Sequence, residues 1–301
     1  MHRNLQYLHR KHIDTQKWDR CIGNAANGLI YARSFYLDNM ATHWDALVLG
    51  DYEAVMPLTW RKKWGIKYLY KPAFVQQLGV FTDKPLTVEL VNKFLQALPE
   101  HFSFAGFLLN YAHPDSGLPR HSNYLLPLHS SYEQLQANYK YDLVKNLKRA
   151  SRFNLLYRKE EGFKEALTAF KGLYGERIAH ITDDEYNRFE KVFAYCRETN
   201  QLITRAVTEN GKLLSIALLL RDKERLYLMV SVTGPEGRTK GANHVLIDRL
   251  IQEFAGSNLY LDFEGSDQPG IAHFYKNFGG IDQPYFYYYY NKLPWPLRLL
   301  K

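Results

Sequence analysis

Cysteine is almost missing from this chain: Cys21 and Cys196 are the two in 301 residues, and no C-x-x-C pair exists. A disulfide framework or a thiolate zinc site is thereby excluded, and a reduced, cytoplasmic protein is expected. The eleven histidines show no metal-ligand spacing, so no metal is expected. Also missing are G-x-S-x-G, H-E-x-x-H, G-x-G-x-x-G and a Walker loop; GPEGRTKG (residues 234–241) has a lysine at the wrong spacing and no Ser or Thr after it. No apolar run reaches membrane-spanning length, and the His-, Arg- and Lys-rich stretch 1–14 lacks the apolar core of a signal peptide.

What is present is a globular composition, 46% hydrophobic and 15% aromatic, long enough for one large domain or two ordinary ones. The net charge of +8 fits a polyanionic partner such as CoA or tRNA, or peripheral contact with an anionic membrane surface. DNA is not expected. A modest lysine excess serving solubility alone fits equally.

Residues 225–280 organise the chain. An apolar, branched and aromatic run (226–232) reads as a strand, and residues 233–240 read as a loop with Gly234, Pro235 and Gly237. Val245, Leu246, Leu250, Ile251 and Phe254 then fall at helical spacing, followed by a second strand (259–263), a turn, and a helix with Phe274, Tyr275 and Phe278. This is the grammar of a βαβ unit. Glycines that turn backbone N–H groups outward, ahead of a helix N-terminus, suit a pyrophosphate, and Arg238 and Lys240 add positive charge. A plain connecting loop explains the glycines equally well.

The segment Arg238-Thr239-Lys240-Gly241-Ala242-Asn243 resembles the acyl-CoA pyrophosphate loop of the GNAT N-acyltransferases, Gln/Arg-x-x-Gly-x-Gly/Ala. Arg238 and Gly241 match, and Asn243 stands where Gly or Ala is usual. Downstream, HFYKNFGG (273–280) resembles the late Phe-Tyr-x-x-x-Gly-Phe helix, with Phe278 one position early and Gly280 where Phe is usual. LDFEGS with FYKNFGG, and Lys145-Asn146-Leu147-Lys148-Arg149-Ala150, are similar to the FemAB-like branch, whose members hold two GNAT-like domains. The resemblance implies an acyl-CoA co-substrate, acetyl-CoA first, held by the strand end at Val232 and by Arg238, Lys240, Gly241, Ala242 and Asn243. It also implies Tyr275 as the acid facing the leaving thiolate; packing of an aromatic helix residue is the simpler account.

The resulting expectation is an α/β fold (α+β, mixed sheets) of tandem GNAT-like domains. A degenerate N-terminal domain would span 1–130, and a C-terminal domain with the acyl-donor loop would span 131–301. In the first, 18–26 and 29–37 start helically, 45–50 and 54–60 form a hairpin, and 66–70, 104–110 and 124–128 are strands, the last pairing with the first sheet. Residues 86–98 are an amphipathic helix. In the second, Ser131 caps a basic helix facing either an anion or solvent, two more helices span 160–173 and 184–199, and 201–232 is a three-strand meander with an Asn210-Gly211 turn. Residues 285–290 are a last strand.

Acyl transfer to an amine needs a neutral amine and a polarised carbonyl. Asp262 and Glu264 project to one side of their strand, and Glu264 ends it at a turn holding Ser266 and Asp267. Glu264 is the candidate base and Asp262 its second, although both carboxylates could equally cap backbone or basic groups. The expected activity is N-acyl transfer from acyl-CoA to a small-molecule or peptide amine. FemAB-type transfer from aminoacyl-tRNA to a peptidoglycan precursor is the alternative, and a catalytically inactive GNAT-like binding module is a third reading.

Overall fold

The computed structural model describes residues 4–114, 117–160, 162–178, 180–265, 267–296 and 298. They divide into two compact units, Met1–His121 with Pro284–Lys301, and Ser122–Gln283.

The first unit opens with β1 (Leu5–His9), α1 (Thr15–Asn24) and α2 (Ser34–Met40), then β2 (His43–Leu49), β3 (Ala54–Lys63), β4 (Ile66–Tyr70), β5 (Phe81–Thr82), α3 (Val88–Ala97), β6 (Phe104–Leu109) and β7 (Arg120–His121). Asp14 starts α1 by accepting from the Gln16 and Lys17 amides, and Thr87 starts α3 by accepting from Leu90 N. Val91, Phe94 and Leu95 of α3, at helical spacing, pack on the inward residues Leu47, Met56, Leu69, Ala105 and Phe107 of the sheet.

The second unit holds β8 (Tyr124–Pro127), α4 (Tyr132–Ala137), α5 (Tyr141–Ala150), β9 (Leu156–Glu160), α6 (Lys164–Tyr174), α7 (Asp183–Glu198), β10 (Leu202–Glu209), β11 (Lys212–Arg221) and β12 (Arg225–Thr233). It continues through α8 (Pro235–Lys240), α9 (Ala242–Phe254), β13 (Tyr260–Asp262), α10 (Pro269–Asn277) and β14 (Ile281–Asp282), after which β15 (Tyr285–Asn291) returns to the first unit. The strand orders are β1-β2-β3-β4-β6-β15-β7, with β5 on β3, and β14-β8-β13-β12-β11-β10-β9. In the second sheet, Leu246, Leu250 and Ile251 of α9 pack with Leu226, Leu228 and Leu261.

Several elements differ from expectation. The division falls after His121, because β8 pairs with β13 and β14 in the second sheet, not with the first. β15 pairs with β6, so the C-terminal strand leaves the second unit. The basic helix after Ser131 is two helices: the chain breaks at Asn138–Lys140, where Lys140 N donates to Asn277 O and the Tyr132 and Tyr139 hydroxyls converge on Asp248. Residues 156–160 form a strand, with Tyr157 opposite Val207 of β10. The stretch 235–240 is a short helix.

Candidate active site

β12 and β11 run antiparallel from Leu226↔Arg221 to Thr233↔Ser215, with Met229 as an extra residue between paired Leu228 and Val230. β13 runs parallel to β12 and pairs at three positions, Arg225↔Tyr260, Leu226↔Leu261 and Tyr227↔Asp262. β13 ends at Asp262 while β12 continues to Thr233, so the two strands part and the outer stretch of β12 loses its neighbour. The vertex is clamped. Arg225 donates to Asp262 at 2.8 Å, with side chains 6% and 1% exposed, and Asp262 also accepts from Asn123 Nδ2 and Glu264 N. Three hydrogen bonds thus commit both Asp262 oxygens to structure, which corrects its expected place as a second base: a buried carboxylate neutralised by a guanidinium is a poor acceptor for an amine proton.

Glu264 follows, half-buried, with φ +63°, a left-handed conformation that the bond from its amide to Asp262 supports. Tyr275 on α10 stacks on Phe263, ring centroids 4.5 Å apart. Burial, and next the charge of Glu264, push the Tyr275 hydroxyl pKa above its ordinary value, so it stays protonated and acts as a donor. Glu264 and Tyr275 are therefore brought together beyond the vertex. Ser266 lies outside the described residues. Asp267 accepts from Ser122 N at 2.9 Å and pins the turn.

The expected phosphate loop is α8. Gly237 is there for space: a Cβ would lie 2.4 Å from Leu214 O. Lys240 pairs with Glu209 and, at 2.8 Å, with Glu236, so its charge is already neutralised, which corrects its expected role as a phosphate ligand. Val232 is buried in β12 and its carbonyl accepts from Ser215 Oγ, so its side chain and carbonyl oxygen belong to the fold. Arg238 is exposed, held by bonds to Thr233 O and Tyr174 Oη.

The anion-binding character sits one step further on. Gly241 adopts φ +74° between α8 and α9, which releases the start of α9. The Ala242 and Asn243 amides in its first turn have no intrahelical acceptor. Asn243 Oδ1 and His244 Nδ1 are buried without a hydrogen-bond partner among the described residues. Burial, and then the Arg149 charge, push His244 down to about 4, so it is neutral at neutral pH. Arg149 comes from the last turn of α5, whose Ala150 Cβ would lie 3.4 Å from a Cβ on Gly241. Helix dipole, free amides, an arginine and two unpartnered side chains form one anion-binding corner. His244 and Arg225 are missing from the expected site; position 244 directly follows the RTKGAN motif, and Arg225 is a charge opening a buried strand.

Residues 137–277 match the model of an acetyltransferase (GNAT) domain. FemX has a similar fold, TM-score 0.65 at 13% identity over 98% of this chain and 99% of that one. So do a tandem GNAT protein from the clavulanic acid biosynthesis pathway (0.56, 10%, 97% and 99%) and the C-terminal domain of a putative lysylphosphatidylglycerol synthetase from Agrobacterium fabrum (0.53, 12%, 95% and 94%). No protein of curated function matches the chain. The second unit thus holds a segment that matches the GNAT acetyltransferase domain, and the fold of the whole chain is like that of a tandem GNAT protein.

Proposed function

We propose that the second unit is an N-acyltransferase that binds acyl-CoA, acetyl-CoA first, and transfers the acyl group to a small-molecule or peptide amine. The observation that carries this reading is the parting of β12 from β13 beside the anion-binding start of α9. An extended pantetheine arm would lie along the β12 edge and use its backbone groups as an added strand does. The pyrophosphate would meet the Ala242 and Asn243 amides and Arg149. The Asn243 amide reverses end for end without changing shape, so its buried position suits a donor as well as an acceptor.

The amine arrives at the β13 end. Glu264 takes its proton as the C–N bond forms, and the C–S bond then breaks. Tyr275, held above its ordinary pKa, is a weaker acid than a thiol of ordinary pKa near 8.5 and donates a hydrogen bond rather than its proton. Solvent supplies the proton to the thiolate. The test is a screen of amines and aminosugars against acetyl-CoA, following free thiol. Thiol release that requires an amine and yields the acylated product is expected; no release with any amine counts against the reading.

Transfer from aminoacyl-tRNA is the second reading, favoured by the exposed Lys145, Lys148 and Arg149 of α5 and by the likeness to FemX. Charged tRNA offered in parallel with acetyl-CoA, with products weighed by mass spectrometry, separates the two donors.

A further inference from the structure

One face of the first unit's sheet is aromatic. Tyr68 pairs with Phe104, Tyr70 with Gly106 and Gly106 with Tyr289, so strand alternation sets Tyr68, Tyr70, Phe104, Tyr287 and Tyr289 on the same side. Leu69, Ala105, Phe107, Tyr288 and Tyr290 point the other way, into the core that includes α3. On the aromatic side the rings form a row. Tyr68 meets Phe104 edge-on at 6.3 Å, Phe104 meets Tyr289 edge-on at 5.5 Å, and Tyr289 lies beside Tyr287 at 6.4 Å with 30° between planes. None of the five is buried, and Tyr289 is 46% exposed.

Gly106 lies under this row. A Cβ there would stand 2.7 Å from the Tyr287 hydroxyl, so the missing side chain is what lets the Tyr287 ring extend over β6. Glycine weakens a strand interior, and close approach by another group is a usual reason for it.

The strand residues that flank the row carry charge of one sign. Residues 59–63 of β3 with β4, β6, β7 and β15 contain no Asp or Glu; of their five cations, Arg61 and Lys63 share the aromatic side, while Lys62, Lys67 and Arg120 alternate to the other. Arg61 shares the aromatic side and stacks over Tyr70 at 4.2 Å. Lys63 also alternates onto that side, at the β3–β4 turn.

We propose that this face binds a single-stranded nucleic acid, with bases stacked on Tyr287, Tyr289 and Phe104 and phosphates met by Arg61 and Lys63. Half-exposed rings on a sheet take unpaired bases without regard to sequence, and a border of one positive sign tracks a polyanionic backbone. A neutral oligosaccharide would use the rings but gain nothing from the uniform charge. The proposal is separate from the donor chemistry of the second unit.

The test is fluorescence anisotropy of the full chain with a labelled oligouridylate of about 12 nucleotides, at about 50 mM salt and upward. Binding that weakens with salt is expected. Tyr287→Ala and Tyr289→Ala should each weaken it about tenfold or more, while Tyr287→Phe retains it, since the phenyl ring still stacks. Gly106→Ala, by displacing the Tyr287 ring, should weaken binding while circular dichroism is unchanged. Arg61→Gln should reduce the slope of log affinity against log salt by about one. The proposal is overturned if the wild type does not bind at the lowest salt, if Tyr287→Ala binds as Tyr287→Phe does, or if a duplex of the same length binds better. Selective binding of a chito-oligosaccharide in place of RNA would make the face a sugar platform and overturn it too.

Discussion

Among the described residues each unit has one parallel strand pair joined over three positions: β4 with β6, from Tyr68↔Phe104 to Tyr70↔Gly106, and β12 with β13. What comes next differs. In the first unit the chain after β4 returns to β6 and runs parallel to it again. Leu78 bridges Leu109, Leu78 N donates to Leu108 O at 2.9 Å, and Val80 O accepts from the side-chain amides of both Asn27 and Asn110. In the second, the chain leaves β12 for α8 and α9, and among the described residues no strand besides β13 pairs with that edge of β12. Backbone groups at a parting of strands must find partners. One unit supplies them from its own chain; the other leaves them beside a helix start where Asn243 Oδ1 and His244 Nδ1 have no partner among the described residues. The parting of strands in the first unit is thus filled by its own chain.

The largest expected contrast lies at the β13 end. Glu264→Gln should reduce turnover about 10²–10⁴-fold, the usual range for a general base, with donor affinity nearly intact. Wild-type turnover across pH in that variant would leave proximity without a protein base as the better account. Next comes the vertex. Asp262→Ala strands Arg225 in a buried site and should cost about 3–5 kcal/mol, measured by chemical denaturation. A loss below about 1 kcal/mol would mean that the pair does not clamp the vertex.

Gly241→Val and Asn110→Ala separate the two openings. Valine at φ +74° is strained and crowds α5, so CoA affinity by calorimetry should fall about tenfold or more. Asn110→Ala removes a plug contact of the first unit and should cost about 1–3 kcal/mol of stability, with CoA affinity unchanged. Equal CoA binding by wild type and Gly241→Val would remove the α9 corner from the donor site.

The smallest effect is the titration of His244. Its folded pKa of about 4 lies below the ordinary 6.5, so the unfolded chain takes up this proton first as pH falls. The stability it contributes is complete above pH 6.5, declines as pH falls towards 4, and then levels off. A bound pyrophosphate favours the charged ring, so the His244 pKa followed by NMR should rise when CoA is added. No change on saturation would place the phosphates elsewhere.

Much of the fold was legible. The apolar periodicity of 226–232 and 242–254 and the Asn210-Gly211 turn are local signals, and β12, α9 and the β10–β11 hairpin stand where they point. β9 was not legible, because LYRKE has no apolar alternation and is made a strand by pairing with β10. Gly234-Pro235-Glu236-Gly237 reads as a loop, yet proline suits the first turn of α8 and Gly237 seats it on Leu214.

By itself the sequence determined most of the element types and the βαβ order of 225–280, since these depend on neighbours a few residues apart. Tertiary structure decided which sheet takes β8 and β15. It also joined Asp262 to Arg225, 37 residues away, and Lys240 to Glu209, 31 residues away, and set Arg149 beside His244. A carboxylate or an ammonium is the same letter whether it is free or paired. Only the folded chain brings the partner that neutralises it, and so decides which charges are left for a ligand.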